Sequence, residues 1–129
     1  MAKRLMDFVA EARSRIVEIN CDKLNELMAE KGDLLVLDVR EPQEYAAGHI
    51  QGAVNVPRGV LEGAADATYK APHPVLSKAQ QRPVAVVCAT GGRSAMATDV
   101  LMQMGFADVV NVAGGFEGWK TAGLPVVQD

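Results

Sequence analysis

Three short, largely apolar runs punctuate the chain: Leu34-Leu35-Val36-Leu37, Val84-Ala85-Val86-Val87 and Val109-Val110-Asn111-Val112, the last with one polar residue. Runs of this length that do not alternate with polar residues predict strands covered on both faces, the habit of parallel sheets. They lead into Asp38, Cys88 and the Gly114-Gly115 pair respectively. Between the second and third runs, Ser94–Met104 carries Met96, Val100, Leu101 and Met104 in a helical pattern and is closed by Gly105. Further upstream, Asn20 to Asp22 offers an N-cap for a helix striped with Leu24, Leu27 and Met28, which Lys31-Gly32 ends. Residues 15–19 alternate and are β-branched, so they predict a short strand. In residues 1–14 and just beyond, Leu5, Phe8, Val9, Ala12 and Ile16 fall near one helical face. That helix packs on the domain, forms a homodimer contact, or is a loose terminus.

Residues 57–82 read differently. Pro57, Gly59, Gly63, Pro72 and Pro74 interrupt a weak apolar signal, and Pro83 follows it. A short helix near Gly59–Ala64, a loop, and a helical turn around Leu76–Gln80 are the expectation. Strands separated by helices imply an α/β sandwich, with a central, mainly parallel sheet flanked by helices. In such folds ligands sit beyond the carboxyl ends of the strands, so Asp38, Cys88 and Gly114 should share one edge. No internal repeat or low-complexity tract interrupts the pattern, and 129 residues predict one domain.

Composition narrows the function classes. Hydrophobic residues make up 49% and charged residues 22%, ordinary for a folded soluble protein. Only 5% are aromatic, so Val, Leu, Ile, Ala and Met must build most of the core. A formal charge of −3 argues against nucleic acid or an anionic membrane as the main partner. No run approaches the length of a membrane span, and Asp7, Glu11, Arg13 and Arg15 break any secretory apolar stretch. The expected setting is therefore cytoplasmic and reducing. Two cysteines, Cys21 and Cys88, and two histidines, His49 and His73, match neither a disulfide scaffold nor a structural zinc spacing.

The segment Cys88-Ala89-Thr90-Gly91-Gly92-Arg93-Ser94 is where chemistry concentrates. A buried strand delivers the cysteine, a glycine turn follows, and a helix opens near Ser94. Glycines let consecutive N–H groups point inward, and the helix start adds unpaired donors with a partial positive charge. Such a cradle stabilises an anion or a thiolate without a metal. Arg93 adds a permanent cation suited to oxyanions. Four residues separate Cys88 from Arg93. Cysteine-based phosphatases place five there, and the shorter loop suits a single sulfur atom better than a tetrahedral phosphate. Cys21, beside Asn20, Asp22 and Lys23, lacks this setting and reads as structural.

Three motifs in order then resemble a known family. Asp38-Val39-Arg40-Glu41-Pro42-Gln43-Glu44-Tyr45 with Gly48-His49-Ile50-Gln51-Gly52-Ala53 is similar to the N-terminal signature of the rhodanese family. The Cys88–Arg93 loop is similar to its six-residue active loop. Gly114-Gly115-Phe116-Glu117-Gly118-Trp119 with Gly123-Leu124-Pro125-Val126 resembles its C-terminal signature. Gln51, where proline is common, and Ala89, where many members carry a polar or basic residue, depart from the pattern. The resemblance runs from about Ile16 to Val126. It implies a rhodanese-like three-layer sandwich over residues 15–129, preceded by a helical extension over 1–14.

It also implies a sulfurtransferase. Cys88 would take the outer sulfur of thiosulfate, a persulfide or a polysulfide and pass it to cyanide, a thiol or a protein cysteine. Neither metal nor organic cofactor is needed. A sulfur carrier serving a partner protein would use the same persulfide. Ala89, Thr90, Gly91, Gly92, Arg93 and Ser94 would surround the sulfur. Arg58 either faces the pocket mouth and attracts an anionic donor or is a solvated arginine. Asp38 and Arg40 support the site or, the favoured reading, form a structural ion pair at the strand end. His49 reads as a turn histidine, Trp119 as core and His73 as an exposed loop residue.

Overall fold

The computed structural model describes all 129 residues. Five parallel strands form one sheet in the order β1-β5-β4-β2-β3. They are β1 (Glu18–Ile19), β2 (Leu35–Asp38), β3 (Val54–Asn55), β4 (Pro83–Val87) and β5 (Asp108–Val112). Six helices connect and cover them: α1 (Leu5–Arg13), α2 (Cys21–Glu30), α3 (Pro42–Ala47), α4 (Leu61–Ala65), α5 (Gly92–Gln103) and α6 (Gly115–Thr121).

The three apolar runs become the three central strands, and the pleat sends their residues alternately to two cores. Leu35, Leu37, Val84, Val86 and Val109 join Leu61 of α4 and Leu101 of α5 on one face. Val36, Ala85, Val87 and Val112 join Leu24 of α2 and Phe116 and Trp119 of α6 on the other. The all-parallel register pairs Asp38 with Val87, and Val86 with Asn111. The carboxyl ends of β2, β4 and β5, with Asp38, Cys88 and Gly114, therefore lie along one edge, as the pattern predicts. No helix is long and apolar enough to cross a membrane.

Several expectations change. The N-terminal helix buries Val9 and Ala12 against Ala95 of α5, but Leu5 is 66% and Phe8 48% exposed. Val9 and Ala12 face α5, Ile16 packs beside them beyond the helix end, and Leu5 and Phe8 lie toward solvent. The strand foreseen at 15–19 is shorter, Glu18–Ile19, with the Val17 carbonyl extending the contact by accepting the Asn111 amide at 2.9 Å. In α5 the fully buried residues are Ser94, Ala95, Ala97, Thr98, Asp99 and Leu101; of the predicted stripe only Leu101 is among them, with Met96 and Met104 partly buried against the cores. Its outer side is covered by α1, so small residues fill both contacts. The 57–82 stretch holds a 3-10 turn (Arg58–Val60), α4, and a second 3-10 turn (Leu76–Lys78). His73 is half-buried rather than exposed: its Nδ1 accepts the amides of Val75 at 3.1 Å and Leu76 at 3.2 Å, capping the second turn.

Candidate active site

Strand β4 hands the chain to Cys88, which is 1% exposed at its carboxyl end. The backbone then turns back through Ala89 and Thr90 into Gly91, whose φ of +105° lies in the left-handed region. A side chain there would be strained, and its Cβ would also press within 3.3 Å of the Arg13 guanidinium. Helix α5 starts at Gly92. Three donors converge on one atom as a result. Cys88 Sγ receives the Gly91 N–H at 3.1 Å, the Ser94 N–H at 3.3 Å and the Ser94 hydroxyl at 3.2 Å. All three aim the positive end of their dipoles at the sulfur. The amides of Ala89, Thr90, Gly92 and Arg93 make no intramolecular hydrogen bond, so the loop keeps further donors for an incoming group. Thr90 is exposed, while Ala89, Gly92 and Arg93 are half-buried.

The loop is gripped from behind by α6. The Phe116 amide donates to the Cys88 carbonyl at 2.8 Å and the Glu117 amide to the Ala89 carbonyl at 3.0 Å. This closeness requires glycine at 115. Its φ is +57°, and a Cβ would lie 2.5 Å from the Cys88 carbonyl oxygen and 2.7 Å from that of Ala89. The Gly114-Gly115 pair thus sets how near the two carboxyl-end turns approach.

Arg93 does not stand free. Its guanidinium makes a two-pronged pair with Glu44, Nη1 to Oε1 at 2.8 Å and Nη2 to Oε2 at 3.1 Å. Glu44 is also tied to its own helix start, its Oε1 accepting the Glu41 amide at 2.9 Å. The hydrogen bonds from Arg93, joined by the one from Glu41 and opposed by partial burial, hold the Glu44 carboxyl at about 2. In turn the Glu44 carboxylate raises Arg93 above the ordinary arginine value. Glu44 is the residue that reading the sequence missed. Glu41-Pro42-x-Glu44 is visible as a helix start, but its partner lies 49 positions away.

Asp38 and Arg40 form a buried pair, Nη2 to Oδ2 at 2.8 Å and Nε to Oδ1 at 3.0 Å. Arg40 also donates to the Gly48 carbonyl at 2.8 Å and lies over the Phe116 ring at 4.3 Å. The pair ties β2 to the end of α3 and to α6. Arg58 pairs with Glu62 one helical turn away at 2.9 Å. His49 is buried, stacked on Tyr45 at 3.7 Å between ring centres, with its ring nitrogens against the Tyr45 carbonyl and Asp129. Trp119 is core, its indole N–H on the Pro125 carbonyl at 2.7 Å. A concavity of about 1020 Å³ lies beside α4 and is lined by Pro57, Val60, Tyr69, His73 and Met104; no residue of the 88–94 loop borders it.

The other cysteine has the opposite surroundings. Cys21 Sγ faces carbonyl oxygens, Gly115 at 3.4 Å and Ala113 at 4.0 Å. Burial, with a smaller push from Asp22, raises its thiol above the usual range.

Comparison with known proteins agrees with this architecture. A sulfurtransferase of Allochromatium vinosum is 33% identical over 110 residues, spanning 85% of this chain and 94% of its own. YrkF of Bacillus subtilis, provisionally named a sulfur carrier protein, is 31% identical over 110 residues, 85% of this chain and 54% of its own. Among solved structures, a Rhodopseudomonas palustris protein of unknown function, named a possible tyrosine phosphatase, superposes with a TM-score of 0.90. It is 28% identical over 98% of this chain and 96% of its own. The family model of the rhodanese-like domain matches residues 20–122, a stretch that contains the whole sheet from β2 to β5, the cysteine loop and the glycine turn behind it. By sequence and by fold, the chain belongs to the rhodanese-like family.

Proposed function

We propose that this protein is a sulfurtransferase working through a persulfide on Cys88. The observation that carries the proposal is the set of three donors on Cys88 Sγ, with four further loop amides lacking a partner. The Cys88 thiolate attacks the outer sulfur of a sulfane donor: thiosulfate, a persulfide or a polysulfide. A new S–S bond forms as the donor's own breaks, and the leaving sulfite or thiolate departs with the bonding pair. The terminal sulfur of the Cys88 persulfide then faces the loop amides. A nucleophile (cyanide, a small thiol or a protein cysteine) attacks that sulfur and returns Cys88 as the thiolate. The cycle is two-step covalent catalysis and consumes no external oxidant or reductant. Arg93, held by Glu44, borders the loop as a fixed cation whose charge is already shared.

Delivery to a partner protein is the second reading, favoured by the likeness to YrkF. It uses the same persulfide and differs only in the acceptor. A phosphatase reading, suggested by the name of the Rhodopseudomonas neighbour, fits less well with four residues between Cys88 and Arg93. A donor and acceptor panel tests all three. Transfer from sulfane donors to cyanide or small thiols, with no hydrolysis of p-nitrophenyl phosphate, is the expected result. Transfer only to a protein thiol would favour the carrier. Phosphate ester hydrolysis without sulfur transfer would overturn the proposal.

A further inference from the structure

Strand β5 carries two polar residues, Asp108 at its exposed start and Asn111 buried within its apolar run. Asn111 is 0% exposed and points to the same side of the sheet as Val109, the side that carries α5. Its amide nitrogen donates in two directions, to the Glu18 carboxylate at 2.7 Å and to the Gly91 carbonyl at 3.1 Å. Two acceptors fix which way the amide faces. Its oxygen is then left buried with no partner, a cost a strand valine would not carry. Glu18 is held in turn by Arg13 Nε at 3.3 Å, and the Arg13 guanidinium lies against Gly91. Arg13 ends α1, whose Val9 packs beside Gly92 and whose Ala12 packs with Ala95. Both residues precede the stretch matched by the family model.

Gly91 links these contacts to the sulfur: its carbonyl and its N–H belong to the two neighbouring peptide units that meet at its Cα. Holding the Gly91 carbonyl on one side of the turn helps hold the Gly91 N–H on Cys88 Sγ on the other. We propose that Asn111, clamped by Glu18 and Arg13, is a positioning residue for Cys88, and that helix α1 is thereby a working part of the cysteine loop. The proposal rests on the sulfur-transfer reading for its purpose, but its geometry can be tested without sulfur donors.

The test is the rate at which Cys88 is alkylated by neutral iodoacetamide at pH 7, in a Cys21→Ala background. Asn111→Ala and the near-isosteric Asn111→Asp, which lacks the donor, should each react about tenfold more slowly. Arg13→Ala and Glu18→Gln, at the partly exposed end of the chain of contacts, should slow it about threefold. Val109→Ala, a core truncation in the same strand, should lower stability and leave the rate unchanged. Slowing confined to the Asn111, Glu18 and Arg13 variants supports the proposal. Wild-type rates in the folded Asn111 variants, or equal slowing in Val109→Ala, overturn it. If neither Asn111 variant folds, the Arg13 and Glu18 variants decide, and wild-type rates in both overturn it. Absence of a Cys88 persulfide in the unsubstituted protein would instead sink the sulfur-transfer reading, since alkylation does not depend on it.

Discussion

Cys21 and Cys88 are both buried, both beside a helix start, and separated by one residue's thickness of backbone. Gly115 is the shared wall: its carbonyl faces Cys21 Sγ at 3.4 Å, while its Cα side abuts the Cys88 carbonyl. Yet the two sulfurs see opposite dipoles. Cys88 is ringed by N–H and O–H donors, and Cys21 by carbonyl oxygens. Burial is common to both; what differs is the direction of the neighbouring backbone dipoles. A turn that aims amides at a sulfur favours charge on it, and a turn that aims carbonyls at it disfavours charge.

Five substitutions sharpen this contrast, in falling order of expected effect. Cys88→Ser should cut sulfur transfer at least about a thousandfold, and Cys21→Ala should leave it within about twofold, measured as steady-state turnover with the same donor. Gly115→Ala should strain both sides of the wall at once. Its φ and the 2.5 Å approach to the Cys88 carbonyl predict a loss of about 2–4 kcal/mol in urea unfolding. Glu44→Gln should change the acid limb of stability. Folding holds the Glu44 carboxyl at about 2, below its ordinary value of 4.5. The stabilisation is therefore present above about pH 4.5 and is lost as pH falls from there toward 2. Urea midpoints between pH 6 and pH 2.5 should fall less steeply in the variant than in the wild type. Cys21→Ser should be the mildest, within about 1 kcal/mol, because its hydroxyl can donate to the Gly115 carbonyl that the thiol already faces.

The contrast between the cysteines also marks what the sequence could disclose. The strand core was legible, because the runs at 34–37, 84–87 and 109–112 are too apolar and too short to be anything but covered strands. The Cys88 turn was legible too, since Gly91, Gly92 and Ser94 stand next to it in the chain. Short elements escaped. Helix α3 buries no residue and β3 is two residues long, so neither leaves a periodic signal. Long-range pairings escaped for a different reason. Glu44 with Arg93, and Asn111 with Gly91 and Glu18, are joined only by the order of strands in the sheet. The same holds for Cys21. Nothing beside it in sequence reveals that Ala113 and Gly115 turn their carbonyls toward it.

The arginines carry a related lesson. Arg93 reads from sequence as a cation for an anionic donor, Arg58 as either that or a solvated arginine, and Arg40 as the ion-pair partner of Asp38; in the structure each has a carboxylate partner, in Glu44, Glu62 or Asp38. The field at the loop owes more to backbone amides and the start of α5 than to uncompensated charge. Arg93 still borders the loop as a cation, so Arg93→Ala should weaken use of thiosulfate modestly more than use of a neutral organic polysulfide, as the ratio of kcat/KM values. Equal loss with both would show that Arg93 acts by holding α3 rather than by charge.

The most direct measurement is the intact mass of the protein after brief exposure to a sulfane donor, followed by removal of the donor. The account predicts a gain of one sulfur atom that persists in Cys21→Ala, disappears in Cys88→Ser, and is discharged by cyanide. A sulfur retained in Cys88→Ser, or no adduct with thiosulfate, persulfide or polysulfide, would contradict it.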